Sequence, residues 1–129
     1  MFVKDGRCIT WGYNGAPPGL PHCSENAHGW DNEEIPSDFL GDSVEERLFY
    51  EQLVRQNGCR NATHAEANAL AFAARHGIST DGATLYASVS PCEGCARLLI
   101  AAGIRRVVFL TPYRDLSGIA LLQEAGVSV

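Results

Sequence analysis

Apolar positions recur at short period near the start of the chain and at helical period later, and the change marks out the elements. Met1-Phe2-Val3 and Cys8-Ile9-Thr10-Trp11 are β-prone runs on either side of Lys4-Asp5-Gly6-Arg7. Asp-Gly between two such runs predicts a β-hairpin, because the tight turn needs residues that accept positive φ. The second strand ends at Gly12-Tyr13-Asn14-Gly15, and Ala16-Pro17-Pro18-Gly19 forces a loop. Residues 23 to 42 show no helical period and read as irregular. A helix then follows, capped by Asp42-Ser43, with Val44, Leu48, Leu53 and Val54 near helical spacing and Asn57-Gly58 at its end.

Residues 63–76 are alanine-rich and almost wholly apolar, which predicts a helix buried on all sides and stopped by Gly77. Asp81-Gly82 leads into a strand over 83–89. Pro91 then enters the first turn of a helix over 91–102, with Gly103 as its stop. A buried strand over 107–110 and a helix over 116–125, closed by Gly126, complete the pattern. Ala102-Gly103-Ile104 and Ala125-Gly126-Val127 echo each other, each ending a helix and launching a β-branched segment. Strand–helix–strand–helix at this spacing predicts right-handed crossovers and a parallel portion of sheet. Joined to the hairpin, it gives a mixed sheet covered by helices, an α/β layered domain.

Composition narrows the function classes. The 129 residues suit one domain over 1–129, and 46% hydrophobic with 19% charged content excludes a disordered chain. No apolar run approaches the roughly 20 residues that span a bilayer, and the N-terminus has no signal-peptide pattern, so no membrane partner is expected. A net charge of −5 argues against a grip on long nucleic acid and for a small ligand. Nine of the fifteen acidic residues lie between Glu25 and Glu51 against one base, Arg47. This acidic insertion, residues 24–58, is either a solvated surface or a lid or subunit contact. Five cysteines, an odd number with one C-x-x-C pair, fit a reducing cytoplasm and metal binding better than a disulfide framework.

The chemistry concentrates in His64-Ala65-Glu66 and Ser90-Pro91-Cys92-Glu93-Gly94-Cys95. A catalytic zinc takes three protein ligands and keeps a fourth position for water, and His64, Cys92 and Cys95 supply that number. The two cysteines fall at a predicted helix start, where free N–H groups and the helix dipole favour thiolate. Zinc so held acidifies its water to about pH 7, and Glu66 is placed to move protons without ligating the metal. Two plainer readings compete. Thr63 and Glu66 have the spacing of a capping box. The cysteine pair also suits a redox motif or a structural zinc with Cys23 or Cys59 as a fourth ligand. Against them, His64 stands on a helix with few other polar side chains, and a structural site leaves Glu66 without a role. Tyr113, just past a strand's C-terminal end, is either a ring available to a ligand or an ordinary partly buried tyrosine.

His64-Ala65-Glu66-x-Asn68-Ala69 with Ser90-Pro91-Cys92-x-x-Cys95 resembles the cytidine deaminase superfamily, whose H-x-E and P-C-x-x-C pattern is a known zinc deaminase signature. Gly12-Tyr13-Asn14-Gly15-Ala16-Pro17-Pro18-Gly19-Leu20-Pro21 and Phe72-Ala73-Ala74-Arg75 are similar to the deoxycytidylate deaminases of bacteria and phages. The resemblance implies a three-layer α/β/α cytidine-deaminase-like fold with a mixed sheet, here without the helix that precedes the hairpin in the family. It implies hydrolysis of dCMP to dUMP and ammonia, with His64, Cys92 and Cys95 as zinc ligands and Glu66 as proton shuttle. Asn14 matches the position that holds the sugar. The backbone of Ala65 and the carbonyl of Ser90 match groups that read the pyrimidine edge. Arg75 matches an arginine near nucleotide or effector contacts at a subunit interface. Arg60, Arg75, Arg97 and Arg114 are candidates for the phosphate. A homo-oligomer, often a hexamer regulated by dCTP and dTTP, goes with the family.

Arg60-Asn61-Ala62-Thr63 departs from the tighter Cys-x-Arg-Thr run of bacterial relatives, and the acidic insertion would reshape the pocket mouth. A second zinc on Cys23, His28 and Cys59 is conceivable, with unrelated thiols and a surface histidine the better reading. The alternatives in function are a deaminase of another base, nucleoside or nucleotide on the same zinc site, or a non-catalytic zinc module. The acidic charge and the lack of a basic C-terminal helix argue against tRNA adenosine. The Gly-Tyr-Asn-Gly motif argues against a free base.

Overall fold

The computed structural model of the chain describes residues 1–20 and 63–129. Its contacts divide into two compact units, one made of Met1–Tyr13 with His64–Val129 and the other of Asn14–Thr63. Of the second unit, the described ends pair with each other. Gly15 N–H donates to the Thr63 carbonyl at 3.3 Å and Thr63 N–H to the Gly15 carbonyl at 2.9 Å. The helix expected after Ser43, the acidic insertion, Cys23, His28, Cys59 and Arg60 lie outside the described residues.

In the first unit the predicted hairpin forms from β1 (Phe2–Lys4) and β2 (Arg7–Thr10). Asp5 and Gly6 both take positive φ, 50° and 73°, as a two-residue hairpin turn requires. Strands β3 (Thr84–Val89) and β4 (Arg106–Thr111) complete a sheet of order β2-β1-β3-β4. β1 is antiparallel to β2 and β3, while β3 and β4 run parallel, so the sheet is mixed. Beyond β4, Ser128 forms a parallel bridge with Arg106. That bridge explains the echo in the sequence: Ile104 and Val127 are both buried where the chain re-enters the sheet layer.

The three helices among the described residues are α1 (Ala65–Arg75), α2 (Glu93–Ala101) and α3 (Ser117–Glu124). All three stop in the same way, at Gly77, Gly103 and Gly126 with φ of 67°, 76° and 80°. The next N–H in each case, of Ile78, Ile104 and Val127, reaches back to the carbonyl of Ala73, Leu99 or Leu122 at 2.9 to 3.1 Å. This is the Schellman closure that the glycine spacing predicts. Phe2, Leu85, Leu99, Val107 and Leu122 form the fully buried centre. Burial of each such side chain contributes about 1.5–3 kcal/mol. Leu85 and Val107 are register partners on one face of the sheet, while Tyr86 and Leu110, on alternate positions, remain exposed.

Two expectations about helix geometry need correction. α1 is not buried on all sides: Ala69 and Ala73 are its buried residues, and Phe72 is exposed and stacked on His76. Alanine favours helix through low side-chain entropy whether or not it is covered, so an alanine-rich run reports propensity more than burial. Cys92 is extended at ψ 170°, so α2 begins only at Glu93, and Pro91, which is fully buried, precedes the helix.

Candidate active site

The site residues gather at the starts of α1 and α2. His64 is the N-cap of α1, Cys92 is the N-cap of α2, and Cys95 is the third residue of that helix. The N-cap position is thus His64, one residue after the Thr63 that the capping-box spacing pointed to. His64 Nδ1 lies 3.4 Å from Cys92 Sγ and 3.4 Å from Cys95 Sγ. One ligand atom from each of the three lies within 4.8 Å of the others. Around a tetrahedral zinc with ordinary Zn–N and Zn–S bonds, nitrogen and sulfur ligands stand about 3.6 Å apart, so the spacing fits that ion. The donor chemistry fits as well, since one imidazole and two thiols are ligands that zinc accepts together.

Burial is graded across the trio: His64 is exposed, Cys92 half-buried and Cys95 buried. Burial pushes the Cys95 thiol well above its ordinary range, and the Glu66 carboxylate and Cys92 push it further. Without a cation this thiol holds its proton; a divalent ion supplies the charge that favours the thiolate. The same interaction puts the Glu66 side chain, from the first turn of α1 and half-buried, beside the metal-ligating cluster.

The first turns of α1 are held from β2 and its exit. Thr10 Oγ1 donates to the Ala69 carbonyl at 3.0 Å, and Asn68 Nδ2 donates to the Tyr13 carbonyl at 3.0 Å. Gly12 packs so closely that a Cβ would collide with the Ala65 carbonyl oxygen and stand 2.9 Å from the Ala69 nitrogen. Sequence reasoning missed Thr10 and Gly12 as supports of this turn. The available signal was a glycine directly after a strand, which often marks close backbone approach.

Ser90 is 3% exposed, and its hydroxyl had no part in the sequence expectation, which used only its carbonyl. Its N–H donates to the Thr111 carbonyl at 2.9 Å, and its Oγ accepts the Tyr113 N–H at 2.7 Å. The segment after β4 is thus tied to the residue two before Cys92. Tyr113 is half-buried, with the Arg114 guanidinium 5.5 Å over its ring. Arg97 pairs with Glu93 on α2. Arg75 is exposed in the last turn of α1, roughly 15 Å along the helix from its first residue by the rise per residue. Ala65 opens α1. Asn14 belongs to the second compact unit and is described only within it.

A model of the cytidine and deoxycytidylate deaminase zinc-binding region matches residues 1–111. The deoxycytidylate deaminase of Enterobacteria phage T2 is 33% identical over 127 residues, which cover 88% of this chain and 68% of that protein. The phage T4 enzyme is 32% identical over 127 residues, covering 88% of this chain and 66% of its own length. The chain thus spans about two thirds of these relatives. Among solved structures, the dCMP deaminase of cyanophage S-TIM5, in complex with dCMP and dUMP, superimposes with a TM-score of 0.71 at 27% identity. That match covers 100% of this chain and 76% of the cyanophage chain. With residues 1–111 of its 129 matched by the zinc-binding region and the three ligand atoms already together, the chain belongs to the cytidine and deoxycytidylate deaminase family.

Proposed function

We propose that this protein hydrolytically deaminates dCMP, giving dUMP and ammonia, at the site formed by His64, Cys92, Cys95 and Glu66. The observation that carries this reading is the approach of His64 Nδ1 to both thiols at 3.4 Å, with the Glu66 carboxylate acting on Cys95. Zinc held by His64, Cys92 and Cys95 would supply a water whose pKa is lowered to about 7. Glu66 would serve as the proton shuttle, taking a proton from the attacking water and giving it to the ring nitrogen next to the amino-bearing carbon. It then carries the second proton to the departing amine, so that carbon exchanges nitrogen for oxygen and ammonia leaves. The backbone of Ala65 and the Ser90 carbonyl orient the pyrimidine, and Asn14 holds the sugar.

Among the candidates within the described residues, the phosphate reader in this reading is Arg114. It adjoins Tyr113, whose N–H rests on Ser90, whereas Arg97 is engaged by Glu93 and Arg75 stands at the far end of α1. Tyr113 stacks on the base. Arg75 is left for contacts between subunits of a homo-oligomer in the cytoplasm, where dCTP and dTTP would act as regulators. No helix among the described residues is long and apolar enough to cross a membrane.

Ammonia release measured across dCMP, dCTP, deoxycytidine, CMP and adenosine tests the reading. The expected result is preference for dCMP over deoxycytidine. Comparable turnover of the two removes the phosphate-reading arginine, and a zinc-loaded protein that releases ammonia from none of them is not a deaminase of these substrates.

A further inference from the structure

The last helix carries a glycine where helix propensity favours alanine. Gly118 is the second residue of α3 and is buried. It is not among the glycines of positive φ, so no turn geometry demands it. What the position demands is space. A Cβ on Gly118 would collide with the carbonyl oxygen of Pro91 and stand 2.9 Å from the Cys92 carbonyl carbon and 3.0 Å from its oxygen. These neighbours are main chain and cannot rotate aside. Pro91 is fully buried, and the Cys92 carbonyl already accepts the Ala96 N–H at 2.8 Å to open α2. Beside this contact, Ser117 Oγ donates to Glu93 Oε2 at 3.4 Å. The first turn of α3 therefore lies directly on the peptide that carries a metal-ligating cysteine.

We infer that Gly118 is a positioning residue for the metal centre: its missing side chain lets α3 press against Pro91 and Cys92, and so fixes the Cys92 sulfur relative to His64. The inference rests on the reading of His64, Cys92 and Cys95 as zinc ligands. Metal–ligand distances hold to within about 0.2 Å, so a main-chain displacement to make room for a methyl group is enough to weaken the site.

The test is release of zinc from the loaded full chain to an excess of chelator, with helix content followed by circular dichroism. Gly118→Ala is expected to release zinc at least about tenfold faster than wild type, the usual scale for loss of a group supporting a ligand. Gly126→Ala is the control. It strains the other end of the same helix at φ 80° with nothing within 4 Å of the added carbon, and should release zinc at close to the wild-type rate. Ser117→Ala, which adds no bulk and removes the bond to Glu93, should fall between wild type and Gly118→Ala. It provides the readout if Gly118→Ala does not fold. Wild-type release rates in both Gly118→Ala and Ser117→Ala would overturn the inference. So would release from Gly126→Ala as fast as from Gly118→Ala, which would reduce the effect to general loosening of α3. A wild-type protein that takes up no zinc refutes the ligand assignment instead, and is told apart at the loading step.

Discussion

The two helix starts that meet at the metal centre are built to different standards. Around the start of α2, Ser90, Pro91 and Cys95 are buried, and Gly118 presses on the Pro91–Cys92 main chain. At the start of α1, His64 is exposed and makes no side-chain cap bond, and Glu66 is half-buried. The main chain is braced at both starts, by Gly12 at α1 and by Gly118 at α2, but the thiol half buries its side chains more deeply while the half that bears Glu66 leaves His64 open. A hydrolytic reaction needs this division, since a rigid ligand pair preserves metal geometry while water and substrate still require an approach.

The largest test of that division is Glu66→Gln. If the open half supplies chemistry and the packed half supplies geometry, turnover falls by roughly 10²–10⁴, the range for loss of a general acid/base. Zinc content should stay near one per chain by elemental analysis. Loss of the metal in this variant would move Glu66 into the ligand framework and end the comparison.

A smaller effect separates the ligands themselves. His64→Ala and Cys95→Ala should both lose zinc, but in metal-free protein they should differ in stability to urea. His64→Ala is expected within about 0.5 kcal/mol of wild type, as for other exposed positions, and Cys95→Ala about 1 kcal/mol below it through lost packing. The pH dependence sharpens the contrast. The folded state holds the Cys95 thiol's pKa above its unfolded value, chiefly through burial and then through Glu66. Its contribution is therefore complete below the unfolded thiol range, about 8.5, and is lost as pH rises beyond it. Metal-free wild type should become steadily less stable above that pH, and Cys95→Ala should show less of the decline. Identical slopes in the two proteins would mean that the thiol is not held protonated by its surroundings.

The same division explains what the sequence disclosed. Hairpin, glycine stops and parallel strands were legible because each has a local cause: positive φ at Asp5 and Gly6, left-handed closure at Gly77, Gly103 and Gly126, and β-branched runs between them. The cluster of His64, Cys92 and Cys95 was legible because metal chemistry restricts residue type and spacing. The supports were not. The hydrogen bond from Tyr113 to the Ser90 hydroxyl joins residues 23 apart, and Gly118 meets Pro91 from another helix. Neither has a local pattern, since each depends on how elements stack. The overestimated burial of α1 has a related origin: alanine composition states that a helix forms and leaves open which side is covered.

The smallest expected effect lies at the outer edge of the packed half. Asp115 Oδ1 accepts the Ser117 N–H at 2.9 Å and so fixes the first turn of α3, the turn that bears on Cys92. That backbone hydrogen bond is the main reason the Asp115 carboxyl is held below its usual range, with the Ser117 hydroxyl and Arg114 adding to it. Because the folded-state pKa is depressed, the stabilisation is present above the unfolded value of about 3.9 and disappears as pH falls through the folded one. Asp115 is solvent-exposed, so the gain is screened and small. In metal-free protein, wild type should therefore exceed Asp115→Ala slightly in urea midpoint at pH 7, with the gap narrowing toward pH 3. At pH 7, zinc release from Asp115→Ala should be faster than from wild type and slower than from Gly118→Ala, since the variant frees the turn without driving an atom into the Cys92 peptide. Release as fast as from Gly118→Ala would show that mobility of the α3 start, rather than close contact at Gly118, governs the thiol half of the site.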